Sequence, residues 1–371
     1  MTLDVVQLTR DLVAIDSVSA RSNATVAELL AGVLERRGFE VERLEYRDQH
    51  GERKVSVVAR KGEGTGGLAF LSHLDTVPGI GWDRDPWEPL VEGGRIIGLG
   101  SCDMKGPLAA TAVAADRFDA RQLARPVLVV ATADEEISGA GARQVVAESR
   151  LFNETRPAYG VVAEPTTLIP VYAHKGGAGV KVTAHGVAAH TSTDRGISAN
   201  FLIAPFMAEM AALAQRLKAD TSYHNPAFDP PTLGFNMTVN DGGTAGNVTA
   251  AKTVCTLGIR PMPNDRSADV VAEISERARS YGFEVETTYF KPFHVAPDAT
   301  IVRLACEASG VAAPRTVPYG TDAFFYQDSI EAVILGPGDI AEAHTNGEWI
   351  EVAQLHRAID VYSPMIERAC R

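Results

Sequence analysis

The sequence predicts an α/β fold: a mostly parallel sheet flanked by helices, forming a catalytic domain, with an inserted ferredoxin-like α+β domain. Three observations predict it. Apolar runs of strand length alternate with amphipathic helical stretches up to about residue 174. The rhythm then changes to strand, helix, two strands, helix, strand. After about residue 291 the α/β alternation returns. At 371 residues the chain exceeds what one core usually serves, in keeping with two domains. The expected boundaries are 1–174 with 291–371 for the discontinuous first domain, and 175–290 for the insert.

Taken in order, residues 3–15 and 24–38 have helical apolar spacing, the second stretch closing at Gly38. Apolar runs at 54–59, 67–72, 127–133 and 159–163 are of buried-strand length. Between them, 106–118 and 140–152 read as helices. In the insert, "GAGVKVTAHG" is a strand and "ISANFLIAPFMAEMAALAQRLKA" a helix. "TLGFNMTVND" and "AKTVCTLGIRPM" are adjacent strands joined by a glycine-rich link; a helix at 267–281 and the strand "FEVETTYF" complete the unit. A helix at 298–309, a strand at 332–336 and a last helix at 352–370 follow.

Composition narrows the function. A formal net charge of -12 and the lack of basic stripes argue against a nucleic-acid partner. No stretch approaches the roughly 18 apolar residues of a membrane span. Four cysteines lie far apart with no C-x-x-C pair, so neither a disulfide framework nor a cysteine zinc site is implied. The opening "MTLDVVQLTRDLVAID" has acids among apolar residues and lacks a signal peptide's basic start. A cytoplasmic protein without membrane or nucleic-acid partners is expected.

Acids and histidines recur where strands should end. His73 and Asp75 follow the run 67–72, and Asp103 sits in a glycine-bounded loop before a helix. Asp134, Glu135 and Glu136 follow the run 127–133; Glu164 follows 159–163; His344 lies after the last strand. Ligands bind outside the carboxyl ends of strands in open parallel sheets, so these segments can converge. Each has a plainer alternative: Asp134 decorating a helix N-terminus, Asp103 capping a helix, Glu164 a turn acid, His344 a surface histidine. Together they form a hard-to-borderline donor set suited to zinc, cobalt or manganese. Cations would also make a tight acidic cluster tolerable, because unpaired carboxylates repel and resist desolvation. In that arrangement the Asp75 carboxylate fixes the tautomer of His73.

"SHLDTVPG", "GLGSCDMKG", "ATADEEISGAGAR", "AEPTTLIPVYAHKG", "AHTST", "GIRPMP" and "LGPGDIAEAHTNGEWI" occur in one order along the chain. They resemble the co-catalytic zinc metallohydrolases, the family of acetylornithine deacetylase, succinyl-diaminopimelate desuccinylase, aminoacylase and carboxypeptidase G. The resemblance spans nearly the whole chain. "RDPWEPLVEGGRIIGLG", "ATADEE" and "YGTDA" are most similar to the acetylornithine deacetylases. It implies two divalent metal ions, zinc with cobalt as an alternative. His73 and Glu164 would hold one, Glu136 and His344 the other, with Asp103 bridging. It implies Glu135 as general base and His190 as a donor reaching the partner subunit's site. Asn247, Arg260, Gly320 and Thr321 would contact the substrate. A homodimer through the insert, acting as lid and dimerisation domain, is implied as well. The chain departs from the family pattern at Ala189 (usually Gly), Ala250 (usually Pro) and Gly347 (commonly Asn).

The expected reaction is therefore hydrolysis of an N-acyl amino acid, first N-acetylornithine. The nearest alternatives are succinyl-diaminopimelate, other acylated amino acids and dipeptides. From a different class, a catalytically silent metal- or peptide-binding protein needs no free base, and Glu135 argues against it. No G-x-S-x-G elbow occurs to make a serine hydrolase. Cys102, beside Asp103, reads as a small residue packed behind the site rather than a nucleophile.

Overall fold

The computed structural model describes residues 3–263 and 266–371. The chain divides into two compact units. The first comprises the chain up to Tyr172 with Val295–Arg315 and Thr321–Arg371; the second comprises Ala173–His294 with Thr316–Gly320.

In the first unit the sheet runs, edge inward, Glu40–Arg47, Arg53–Lys61, Val127–Thr132, Leu68–His73, Tyr159–Val162 and Glu331–Ile334. The last four are mutually parallel. Every residue of Leu68–His73 and Val127–Thr132 is buried, as expected of parallel strands covered on both faces. The Glu40–Arg47 edge strand is absent from the sequence reading because "EVERLEYR" is half-exposed and carries little apolar signal. Only five residues separate it from Arg53–Lys61, too few for a crossover, so the two pair antiparallel.

The helix Lys105–Asp116 is buried almost all round. Its alanines let it sit between the sheet, the helix Val5–Val13 and the helix Val352–Cys370. The stretch 140–152, read as one helix, is two. Ser149 breaks the run with extended ψ and accepts the Phe152 amide on its own hydroxyl, starting Arg150–Thr155. A second sheet was not foreseen: Leu90–Glu92, Arg95–Ile97 and Trp349–Glu351 pair antiparallel. Gly93 and Gly94, both at positive φ, make its tight turn.

The second unit has the ferredoxin-like order of elements. Strands Gly177–His185, Asn236–Asn240, Lys252–Ile259 and Glu284–Phe290 form an antiparallel sheet with Asn236–Asn240 and Glu284–Phe290 at its edges. Lys252–Ile259 alternates buried and less buried residues, so one face meets the helices Ala199–Ala219 and Ser267–Ser280. Val180, Val182, Cys255, Leu257, Ile203, Phe206, Val270 and Ile274 fill that core. Among the described residues no helix is long and apolar enough to cross a membrane.

Candidate metal centre

In the first unit His73 is the last residue of its strand and fully buried. Its Nδ1 lies 3.0 Å from the carbonyl oxygen of Asp75. A carbonyl only accepts, so Nδ1 donates, and Nε2 is the ring nitrogen turned toward the carboxylates. Nε2 faces Asp103 Oδ1 at 3.0 Å and Glu164 Oε1 at 3.9 Å. The other Asp103 oxygen is 3.4 Å from His344 Nε2, which lies 3.1 Å from Glu136. Two groups of donor atoms result, each within 4.8 Å: His73, Asp103 and Glu164; and Asp103, Glu136 and His344. Asp103 belongs to both. Glu135 belongs to neither.

The electrostatics suit cations. Asp103, Glu135, Glu136, Glu164 and Asp322 crowd around two imidazoles. Burial, reinforced by Asp103, holds the Glu164 carboxyl well above the ordinary range. Burial does the same to Glu135, with His73 opposing and Glu164, Asp322 and Glu136 adding repulsion. For Asp103, burial works upward, but the hydrogen bond and charge of His73 outweigh it and its pKa is lowered. His344 is raised to about 9, chiefly by its hydrogen bond with Glu136. A cluster in which Glu135, Glu136, Glu164 and Asp322 are pushed toward protonation, with imidazole nitrogens among them, has the donors that a hard or borderline divalent ion takes. The residues fit a bridged pair of such ions.

Local structure sets these side chains. Asp103 does not cap the helix that follows; that position falls to Met104, with no side-chain cap. The sequence-expected role of Asp75 is corrected. Its carboxylate lies 3.7 Å from His73 Nδ1, too far for a hydrogen bond, and the backbone carbonyl of the same residue takes that place. The Asp75 carboxylate instead accepts the amides of Glu135 (3.1 Å) and Glu136 (3.2 Å) and the Ser19 hydroxyl (2.6 Å). The reason is geometric: the strand end turns the Asp75 side chain toward the 134–136 turn. Gly336 lies so close to the Ala163 and Glu164 carbonyls, 2.2 and 2.4 Å from where a Cβ would stand, that only glycine lets the segment after Glu331–Ile334 pass behind Glu164.

Asp134 is not a helix-end ornament. It is buried at φ 59°, paired with the wholly buried Lys54 at 2.9 Å, and accepts the Tyr46 hydroxyl at 2.7 Å. Cys102 is buried and its thiol, pushed up by burial, lies 3.4 Å from the Asp339 carbonyl: a packing residue without a base. Sequence reasoning missed three groups besides. Asp322 is buried, raised to about 7 by burial, and accepts the Thr132 hydroxyl at 2.9 Å. Glu348 is buried against the Asp103 loop. Lys54 opens the apolar run "KVSVVA", and a lone charge beside buried-strand residues was the available signal.

The remaining expected residues lie mostly in the second unit. His190 is exposed; its Nδ1 accepts the Ser192 amide at 3.2 Å, so the ring hydrogen sits on Nε2. Thr191 donates to the Asn247 carbonyl at 3.0 Å, bringing His190 and Asn247 together. Arg260 is exposed at the end of Lys252–Ile259. Gly320 belongs to the second unit and Thr321 to the first, where its hydroxyl accepts the Ala323 amide at 3.1 Å.

Residues 69–368 match the model for peptidase family M20/M25/M40. The chain is 34% identical over 382 residues to the acetylornithine deacetylase of Proteus mirabilis, covering 98% of this chain and 96% of that protein. The Myxococcus xanthus acetylornithine deacetylase is 34% identical, covering 97% and 96%. Among solved structures, the M20 family metallo-carboxypeptidase Sso-CP2 of Sulfolobus solfataricus superposes with a TM-score of 0.77 at 17% identity, covering 98% of each chain. A dinuclear metal-binding M20 peptidase of Bacillus subtilis does so at 0.65 and 18%, covering 98% of this chain and 96% of that one.

Proposed function

The chain belongs to peptidase family M20/M25/M40 and is a metal-dependent hydrolase, and we propose that it cleaves the amide of N-acetylornithine to ornithine and acetate. One observation supports the substrate: identities of 32–34% over nearly the full length to acetylornithine deacetylases from several bacteria. Another supports the chemistry: two donor groups share Asp103 while Glu135 stands outside both.

In this reading His73, Asp103 and Glu164 hold one ion and Asp103, Glu136 and His344 the other. Mixed imidazole and carboxylate donors favour zinc, with cobalt able to replace it. When bound, the two cations supply Lewis acidity to the substrate carbonyl and lower the pKa of a water. Glu135 takes the proton from the attacking water and returns it to the departing amine. Asp75 orients the turn that carries both glutamates, through their amides. His190 presents its Nε2 hydrogen to the developing oxyanion, in the partner subunit's site. Asn247, Arg260, Gly320 and Thr321 hold the amino-acid part, Arg260 through a forked contact to the carboxylate.

A homodimer through residues 175–290 is proposed with it. Phe201 is 82% exposed, and the edge strand Asn236–Asn240 leaves one side unpaired with Val239 exposed, as a self-complementary two-fold interface requires. The four free cysteines accord with a cytoplasmic location.

The test pairs substrates with two variants. Zinc- or cobalt-loaded protein is expected to turn over acetylornithine with higher kcat/KM than succinyl-diaminopimelate, other acetylated amino acids or dipeptides. Preference for another member of that panel refutes the substrate. Glu135→Gln should keep its metal and lose roughly 10²- to 10⁴-fold in kcat, whereas Glu136→Gln should lose one ion. Equal metal loss in both refutes the division of roles.

A further inference from the structure

Glu348 lies outside both donor groups, yet is among the most buried carboxylates of the first unit, 1% exposed. Its Oε1 accepts the amides of Cys102 at 2.7 Å and Asp103 at 2.9 Å, and its Oε2 accepts that of Gly100 at 3.0 Å. Three backbone hydrogens thus converge on one side chain from a segment about 245 residues earlier in the chain. One of them, that of Asp103, belongs to the residue common to both donor groups.

The same residue is tied down by its own backbone. Its carbonyl accepts the Gly98 amide at 2.9 Å, and its amide donates to the Thr345 carbonyl at 3.2 Å, one residue beyond His344. Directly after it, Trp349, Ile350 and Glu351 pair with Ile97, Ile96 and Arg95. The small sheet brings the two segments side by side. From Gly98 on to Asp103 the contact continues through Glu348: its carbonyl accepts the Gly98 amide and the Ser101 hydroxyl (3.4 Å), and its carboxylate takes the amides of Gly100, Cys102 and Asp103. Without that carboxylate the Gly98–Asp103 loop, with Gly100 at φ 83°, would have three buried amides to satisfy elsewhere.

We infer that Glu348 is a positioning residue: its carboxylate fixes the Asp103 loop against the His344 loop and so sets the spacing of Asp103 and His344 in the second donor group. The inference rests on the reading of those residues as metal ligands. Side chains that hold ligands in place typically change metal affinity by 10- to 100-fold when replaced.

Glu348→Gln keeps the volume but offers one acceptor oxygen and turns an NH₂ toward an amide that also donates. Glu348→Asp keeps the charge on a stem one methylene shorter. Both are compared with the parent and with His344→Ala by equilibrium dialysis of zinc, by the visible spectrum of the cobalt-loaded protein, and by kcat and KM, well below every melting temperature. The expected result is a folded Glu348→Gln whose weaker zinc dissociation constant rises at least about 10-fold, with an altered cobalt spectrum and a fall in kcat at little-changed KM. Zinc constants and a cobalt spectrum like the parent's overturn the inference. So does failure of both Glu348 variants to fold, since the role is then stability rather than placement. His344→Ala separates the levels. If it still binds two ions as tightly as the parent, the ligand reading itself fails; if it loses one while Glu348→Gln behaves as the parent, only the positioning role fails.

Discussion

Lys54→Met is expected to destabilise the first unit severely. Lys54 is wholly buried, and its ammonium meets Asp134 Oδ1 at 2.9 Å and donates to the carbonyls of Ser19 and Arg21. Asp134 is itself 2% exposed, so removing the lysine leaves an uncompensated charge where water cannot reach. Breaking one partner of such a pair costs about 3–5 kcal/mol. The two orphaned carbonyls each add on the order of 1 kcal/mol, although contributions within one network do not simply sum. For a unit of this size that corresponds to a fall in Tm of roughly 6–20 °C. The three tryptophans, Trp82, Trp87 and Trp349, all lie in the first unit, so tryptophan fluorescence during urea or thermal unfolding follows that unit alone. Asp134→Asn should be nearly as harmful. The double change Lys54→Met with Asp134→Asn should cost clearly less than the sum, by about 2 kcal/mol or more, because neither buried charge is left alone. Because Asp134 begins the turn that carries Glu135 and Glu136, the single variants should also bind metal less tightly. A loss below about 1 kcal/mol, or strict additivity in the double variant, refutes the reasoning.

His190→Ala and Glu135→Gln should each fold, bind metal and be nearly inactive, loss of an oxyanion donor typically costing 10²- to 10³-fold. Mixing them under verified subunit exchange should restore activity; none returning, or an active monomer, excludes the trans-acting role. Burial lowers His174 to about 4, against an ordinary value of 6.5. The unfolded chain therefore takes up this proton below about pH 6.5 while the folded chain does not until about 4. The stability from the neutral buried ring is complete above 6.5 and is lost as pH falls toward 4, at up to about 1.4 kcal/mol per pH unit. Urea unfolding of parent and His174→Gln from pH 7 to 4.5 should show the parent losing about 2 kcal/mol more than the variant; parallel profiles would rule this out.

Much of the candidate site was legible because its chemistry sits where strong local signals end. His73 closes the buried run Leu68–His73, the acids 134–136 follow Val127–Thr132, and Glu164 follows Tyr159–Val162. Residue type and strand periodicity are local properties, and a parallel sheet carries its strand ends to one edge. The inserted unit was legible for the same reason: its order of elements is written in alternating apolar periods. What the one-dimensional pattern did not determine was which distant groups meet. Whether the carboxylate or the carbonyl of Asp75 faces His73 depends on how the strand end turns against the 134–136 segment. The pairing of Lys54 with Asp134 joins a strand residue to the turn after the neighbouring strand, and the hold of Glu348 on the Asp103 loop spans about 245 residues. These contacts depend on sheet register and loop closure. Packing selects them among many pairings of equal chemistry, so only the tertiary structure decided them.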